Sequence, residues 1–175
     1  CLHGEEDTAF QLVAGETSPS FGYMLSKGGT TMWERWEADL DNNIINSRNH
    51  PMLSACAVYF YKYLGGIRIS ADEKGVQQLT VRPVIPKDLK HATTACELMC
   101  GKVRTHWERL NEGGLNLEIT IPFNAHAAIC ILNKYGRIRS VMLDGQELDT
   151  GIVVTGEKET VIPADKVTYL IQVAP

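Results

Sequence analysis

The sequence predicts a segregated α+β fold, with helices in the first part of the chain and an antiparallel β-sandwich in the remainder. Apolar residues recur at helical spacing up to about Gly66, and from Ile67 onward they alternate with polar residues in short runs. We therefore expect a helical domain over residues 1–66 and a β-sandwich domain over residues 67–175, which is long enough to hold its own core.

Two segments of the helical domain carry signals of a helix. The acidic run Glu5-Glu6-Asp7 precedes an apolar stretch, and negative charge is favourable at a helix N-terminus. A second helix is predicted to begin at Pro51, a favoured first position, with Asn49 or His50 as its cap. Its apolar positions recur at helical spacing until two glycines end it; they are Leu53, Cys56, Ala57, Phe60, Tyr61 and Leu64.

The second domain shows alternation with a period of two, which is typical of half-buried strands. The apolar sets are Leu79 and Val81; Val103, Thr105 and Trp107; Leu115, Leu117, Ile119 and Ile121; and Val167, Tyr169, Ile171 and Val173. Turn signals separate the strands: Asn111-Glu112-Gly113-Gly114, Asp144-Gly145 and Thr155-Gly156. Several short strands at this spacing predict an antiparallel sandwich.

Composition and charge limit the partners. The chain is 44% hydrophobic and 22% charged, as in an ordinary globular protein. Its net charge of -4 gives no reason to expect nucleic acid or an anionic membrane as a partner, and no apolar run is long enough to span a bilayer. The chain begins Cys-Leu-His without an initiator methionine, so we expect a piece of a longer protein and the compartment stays open.

The cysteines and acidic residues do not predict a metal site, and we expect no cofactor. Cys96 and Cys100 are predicted to lie on one strand, roughly 13 Å apart, beyond the roughly 7 Å that a disulfide permits between Cα atoms. Neither His91 nor His106 completes a familiar zinc spacing with them. The acidic run at residues 39–43 lacks the glycine and glutamate of a calcium loop. The remaining cysteines, Cys1, Cys56 and Cys130, form no disulfide framework.

The strongest candidate site is the stretch Trp33-Glu34-Arg35-Trp36 together with His50. A carboxylate between two indoles suits a sugar site, because indole faces stack on a pyranose and a partly desolvated carboxylate can activate a water. His50 precedes a proline, which favours extended backbone at the mouth of a helix. Alternatively, both indoles are packing residues, Glu34 pairs with Arg35 at the surface, and His50 is only a helix cap.

An ordered series of motifs resembles the bacterial α-L-rhamnosidases of glycoside hydrolase family 78. The resemblance covers most of the chain and is strongest from Ser18 to Gly66. The motifs are Ser18-Pro19-Ser20-Phe21-Gly22-Tyr23-Met24, Gly29-Thr30-Thr31-Met32-Trp33-Glu34-Arg35-Trp36, Ser47-Arg48-Asn49-His50-Pro51, Phe60-Tyr61-Lys62-Tyr63-Leu64-Gly65-Gly66-Ile67 and Arg82-Pro83-Val84, and then Gly101-Lys102-Val103, Trp107-Glu108 and Ile121-Pro122-Phe123-Asn124-Ala125.

The resemblance implies both a fold and a function. Residues 1–66 would be the last helices of an (α/α)6 barrel and would pack against the missing N-terminal part of that barrel. The enzyme would cleave terminal α-L-rhamnose from a glycoside or polysaccharide by inversion, with Glu34 as general base and His50 binding the sugar. One of the two indoles would form part of the pocket wall, and Trp36 is taken as that residue. The general acid would lie outside this chain, so the chain alone would be inactive.

Two other functions are open. A carbohydrate-binding sandwich would need exposed aromatic residues on one face, where only Trp107, Tyr135 and Tyr169 are available. Trp107 and Tyr169 share a face with aliphatic residues, so we expect the sandwich to brace the barrel instead. The other alternative is a different (α/α)-barrel glycosidase, which assays with aryl glycosides of several sugars would distinguish.

Overall fold

The computed structural model describes residues 4–37, 47–71, 77–123, 125–149, 153–164 and 168–175. The chain divides into two compact units, Cys1–Tyr59 with Ile85–Asp88, and Phe60–Val84 with Leu89–Pro175. The first unit contains the helices α1 (Glu6–Ala14) and α2 (Phe21–Ser26) and a 3-10 helix (Pro51–Cys56). A π-helix (Tyr59–Leu64) follows, and a short 3-10 helix (Asn133–Tyr135) lies in the second unit.

The strands of the described residues belong to the second unit. They are β1 (Ile67–Ala71), β2 (Gln77–Val81), β3 (His91–Leu98), β4 (Gly101–Arg109), β5 (Leu115–Thr120), β6 (Ala127–Leu132), β7 (Arg137–Leu143), β8 (Gln146–Glu147), β9 (Val154–Thr155), β10 (Glu159–Ala164) and β11 (Thr168–Ala174). The fold is the predicted segregated α+β arrangement, with helices first and a β-sandwich after them.

The sandwich consists of two sheets. One has the strand order β1-β2-β6-β10-β9, and the other has the order β3-β4-β5-β11-β7-β8. In the described part of the chain, the strand pairs are antiparallel except β2 and β6, which run parallel. This parallel pair arises because the chain crosses to the other sheet for β3, β4 and β5 before it returns as β6.

The predicted inward faces of the strands are confirmed. The buried side chains alternate with more exposed ones, as the period of two requires; they include Leu79, Val81, Val103, Thr105, Trp107, Leu115, Leu117, Ile119, Tyr169, Ile171 and Val173. Val167, which was predicted to belong to the last set, lies outside the described residues. The Asp144-Gly145 turn between β7 and β8 has positive φ at both residues, 48° and 84°, as a two-residue hairpin turn of type I′ requires.

The placement of Cys100 differs from the prediction. Strand β3 ends at Leu98, and Cys100 lies in the turn before β4, so the prediction that it shares a strand with Cys96 was wrong. The tight turn starts β4 at Gly101, whose φ of 123° favours glycine. Cys96 and Cys100 are free thiols, and so are Cys56 and Cys130. Burial raises the pKa of the Cys56 and Cys130 thiols.

Helices α1 and α2 pack closely in the first unit. The Ser20 hydroxyl caps α2 by accepting a hydrogen bond from the Tyr23 amide, 2.9 Å away, and it donates to the Gly15 carbonyl. A Cβ atom at Gly22 would lie 2.4 Å from the carbonyl oxygen of Gly15. The motif that includes Ser20 and Gly22 therefore has a local structural explanation, since the cap begins α2 and the glycine permits its contact with the end of α1.

A short segment after β2 also belongs to the first unit. The Lys87 amide donates to the carboxylate of Asp7, and the Gln11 side chain donates to the carboxylate of Asp88, at 3.0 and 3.2 Å. Asp7 and Gln11 are one helical turn apart on α1, so they present both groups on the same side. The domain boundary at Gly66 stays a prediction; the compact units divide at Tyr59 and again on either side of residues 85–88.

The helix predicted from Pro51 is not a regular α-helix. A 3-10 helix over Pro51–Cys56 gives way to a π-helix over Tyr59–Leu64, so the predicted burial of Phe60 and Tyr61 was wrong. Leu64 is buried, as its place in the predicted apolar set requires, and Tyr59, which lies outside that set, is buried as well. The hydrogen bonds of a π-helix join residues five apart, which brings Tyr59 and Leu64 to one side and turns the residues between them outward.

The C-terminal end of the π-helix is held by residues of the sandwich. The last carbonyl groups of a helix have no partner within the helix and need one elsewhere. The indole N–H of buried Trp107 on β4 donates to the Leu64 carbonyl at 2.9 Å. Further donors from outside the helix include the Val84 amide to Tyr63, the Arg68 guanidinium to Lys62 and the Thr94 hydroxyl to Phe60.

Candidate active site

Two segments of the first unit carry the predicted site residues. Residues 31–34 and residues 47–50 run antiparallel and are joined by backbone hydrogen bonds. The His50 amide donates to the Met32 carbonyl at 2.8 Å, and the Glu34 amide donates to the Ser47 carbonyl at 2.9 Å. The intervening residues 38–46, including the acidic run compared with a calcium loop, lie outside the described part of the chain.

Glu34 is exposed, and its carboxylate has a defined orientation. Its Oε2 atom accepts a hydrogen bond from the Ser47 amide, with an N–O distance of 2.9 Å. In the described part of the chain, the partner of this carboxylate is therefore a backbone amide rather than the Arg35 guanidinium. Because an ionised carboxylate has two acceptor oxygens, a group held through Oε2 can still accept a proton on Oε1.

The two tryptophans differ in their surroundings. Trp33 is only 2% exposed, and its indole lies so close to Gly29 that a Cβ there would be 3.1 Å from Nε1. The Arg48 guanidinium lies 5.5 Å from the Trp33 ring centre. Trp36 is half-buried and meets Phe21 edge-on, with ring centres 5.1 Å apart. Trp33 is therefore a packing residue, while Trp36 keeps part of its indole at the surface.

His50 is half-buried at the start of the 3-10 helix. Its backbone is extended, with φ -108° and ψ 108°, as expected for a residue before proline. The side chain makes no capping hydrogen bond to the helix, although the residue occupies the N-cap position. The imidazole is therefore not committed to the capping role that the sequence left open.

Two residues near the candidates, Thr31 and Ser47, had no role assigned from the sequence. Ser47 holds the Glu34 carboxylate, Thr31 donates its hydroxyl to the Arg48 carbonyl, and the Ser47 hydroxyl accepts from the Asn49 amide at 3.1 Å. Both lie inside the two motifs that contain Glu34 and His50. These motifs could have indicated the two residues, because polar side chains next to Glu34 and His50 needed a structural reason.

The described ranges contain neither a candidate metal site nor a candidate membrane-spanning helix. No group of three or more His, Cys, Asp or Glu side chains there could hold a metal ion. No helix there is long and apolar enough to cross a membrane.

Two family models match consecutive parts of the chain. The bacterial α-L-rhamnosidase 6 hairpin glycosidase domain matches residues 1–64, and the bacterial α-L-rhamnosidase C-terminal domain matches residues 66–142. An α-L-rhamnosidase of Formosa agariphila is 32% identical over 145 residues, which cover 82% of this chain and 15% of that protein.

Solved structures show the same relationship. An α-L-rhamnosidase from Dictyoglumus thermophilum superposes with a TM-score of 0.81 and 27% identity, over 99% of this chain and 19% of that chain. The Streptomyces avermitilis α-L-rhamnosidase solved with L-rhamnose superposes with a TM-score of 0.75 and 25% identity. That match covers 98% of this chain and 16% of the other chain. The chain thus spans less than a fifth of the length of these relatives. On these matches, the chain belongs to the bacterial α-L-rhamnosidase family and corresponds to the C-terminal part of such an enzyme.

Proposed function

We propose that this chain is part of a glycoside hydrolase that removes terminal α-L-rhamnose with inversion, and that Glu34 is the general base. The proposal rests on the exposure, orientation and position of the Glu34 carboxylate. It is exposed, it is oriented through Oε2 by the Ser47 amide, and it lies on a segment bonded directly to the segment of His50. Because the chain belongs to the α-L-rhamnosidase family, we propose rhamnoside hydrolysis as the reaction in which this carboxylate takes part.

In the proposed reaction, Glu34 removes a proton from a water molecule as that water attacks the anomeric carbon. The water approaches from the face opposite the departing group, so the configuration inverts. Inversion requires a second carboxyl group, roughly 6.5–9.5 Å away, to protonate the leaving oxygen. We place that general acid outside this chain, in the rest of the barrel that residues 1–66 are proposed to complete.

His50 and Trp36 are proposed to hold the sugar. An imidazole that makes no capping bond can donate to or accept from sugar hydroxyl groups. The half-buried indole of Trp36 can cover an apolar face of the ring, and Phe21 supports it from the side. Trp33 is assigned to packing because it is buried.

We also propose that residues 1–66 complete a barrel and residues 67–175 form the domain that braces it. Several large apolar side chains of the first unit are exposed, which supports a missing covering layer; they are Leu12, Leu25, Met52 and Val58. Burial of Trp107 and Tyr169 argues against a sugar-binding face on the sandwich. Tyr135 is half-buried, with the Lys134 ammonium group 5.2 Å from its ring centre.

The chain expressed alone is expected to hydrolyse no aryl α-L-rhamnoside, because one carboxylate cannot supply both proton transfers. The full-length protein that contains it is expected to be active. Release of the chromogenic aryl group measures both. Turnover by the isolated chain well above that of its Glu34→Gln variant would contradict the proposal, and so would a full-length protein that cleaves other aryl glycosides but not rhamnosides.

A further inference from the structure

A side-chain hydrogen bond joins the two segments of the candidate site. The Thr31 hydroxyl donates to the Arg48 carbonyl, which lies in the chain between Ser47 and His50. On one side of Arg48, the Ser47 amide holds the Glu34 carboxylate. On the other side, the chain leads through one residue to His50. The Arg48 carbonyl is therefore a point from which both groups can be positioned.

Arg48 is fixed at a second point as well. Its guanidinium lies over the indole of Trp33, which is buried and abuts Gly29. The side chain of Arg48 is thus anchored on the packed part of the first segment, while its carbonyl is anchored by Thr31. Two anchors on one residue restrict the rotation of the Ser47 amide relative to Glu34, because neighbouring peptide planes are coupled through only two soft dihedral angles.

We propose that Thr31 is a positioning residue of the hydrolytic site, which acts through Glu34 and does not touch the sugar. The inference rests on the proposed function of Glu34. Without the Thr31 hydroxyl, the Arg48 carbonyl loses this partner and the peptide chain between Ser47 and His50 gains freedom. The Glu34 carboxylate then spends less time in the orientation from which it can accept the proton of the attacking water.

The expected effect is large for a residue outside the reacting groups. A displacement of about 1 Å in a catalytic group can cost about a hundredfold in rate. Thr31→Val keeps the shape of the side chain and removes its hydroxyl, so in the full-length protein kcat is expected to fall at least about tenfold. Thr31→Ser retains the donor and is expected to keep kcat within about twofold of the wild type, because the hydrogen bond can still form.

The neighbouring Thr30 provides a matched control. It is also exposed, and Thr30→Val makes the same chemical change one residue away. This variant is expected to keep wild-type kcat and KM. Equal losses in Thr30→Val and Thr31→Val would overturn the proposal, since they would reflect a general intolerance of the segment to valine. Wild-type kcat in Thr31→Val would overturn it directly.

A double-variant cycle separates positioning from a merely structural role. If Thr31 acts through Glu34, adding Thr31→Val to Glu34→Gln should lower kcat by less than about twofold, because the base is already absent. The same tenfold loss in both backgrounds would show that Thr31 acts independently of Glu34 and would overturn the proposal. If Thr31→Val does not fold, Thr31→Ala replaces it in the cycle with the same expected and contradicting outcomes.

The same set of variants distinguishes this inference from the proposed function. If Glu34→Gln retains wild-type kcat, the assignment of the general base fails, and the positioning proposal is overturned with it. If Glu34→Gln is inactive while Thr31→Val is fully active, only the positioning proposal fails. A loss in Thr31→Val, rescue by Thr31→Ser and reduced effect in the Glu34→Gln background together support it.

Discussion

In the full-length protein, Glu34→Gln is expected to lower kcat by about 10² to 10⁴-fold, with KM nearly unchanged. Glutamine keeps the shape of the side chain, and its carbonyl oxygen can still accept the Ser47 amide hydrogen. It cannot act as a base. The loss therefore falls on the step in which the attacking water gives up its proton, and steady-state kinetics with an aryl α-L-rhamnoside measure it.

His50→Ala is expected to fail differently and serves as the comparison. A group that holds sugar hydroxyls in both the ground state and the transition state contributes to binding throughout the reaction. Its removal should therefore raise KM at least as much as it lowers kcat. If Glu34→Gln keeps more than about a tenth of the wild-type kcat, it loses less than a weak general base supplies. Glu34 would then be a surface residue of a structural motif.

The largest expected effect on stability is at Trp107. Trp107→Ala should lower the free energy of unfolding of the sandwich by about 3–5 kcal/mol, because the side chain is 1% exposed and its removal leaves a cavity. Trp107→Phe keeps an aromatic ring but removes the donor to the Leu64 carbonyl. We therefore expect the free energy of unfolding to fall by about 1–3 kcal/mol.

Urea unfolding followed by far-UV circular dichroism measures both changes, and Leu170→Ala on the exposed side of β11 is the control. The control is expected to change the free energy of unfolding by less than about 0.5 kcal/mol. A Trp107→Phe variant as stable as the wild type would contradict the view that the indole N–H holds the end of the π-helix. If Trp107→Ala were destabilised and Trp107→Phe were not, the residue would contribute to stability by packing only.

The strands were predictable because their signal is local. The alternation that buries Leu115, Leu117 and Ile119 depends only on the period of the strand, and the Asp144-Gly145 turn depends on two residues that tolerate positive φ. The helical segment after Pro51 was less predictable. Its apolar spacing fits an α-helix, whereas the structure has a π-helix whose end is bound by a residue far along the chain, Trp107, which local spacing does not specify.

The residues of the candidate site can be proposed from the sequence, but their contacts cannot. The residue types of Glu34, His50 and the indoles indicate sugar chemistry without any structure. The partner of Glu34 is the amide of Ser47, 13 residues away, and no local pattern specifies that pairing. The difference between Trp33 and Trp36 likewise depends on tertiary neighbours, so the sequence left open which indole is buried.

The assignment of Glu34 is tested most directly by chemical rescue of a variant that lacks the carboxylate. In full-length Glu34→Ala, sodium azide should restore turnover of an aryl α-L-rhamnoside, because azide attacks without needing a base. The proton-donating residue remains intact, and attack from the face opposite the leaving group should give the β-rhamnosyl azide, identified by NMR. Lack of azide-dependent turnover, or formation of the α-rhamnosyl azide, would contradict the proposal that Glu34 is the base of an inverting hydrolysis.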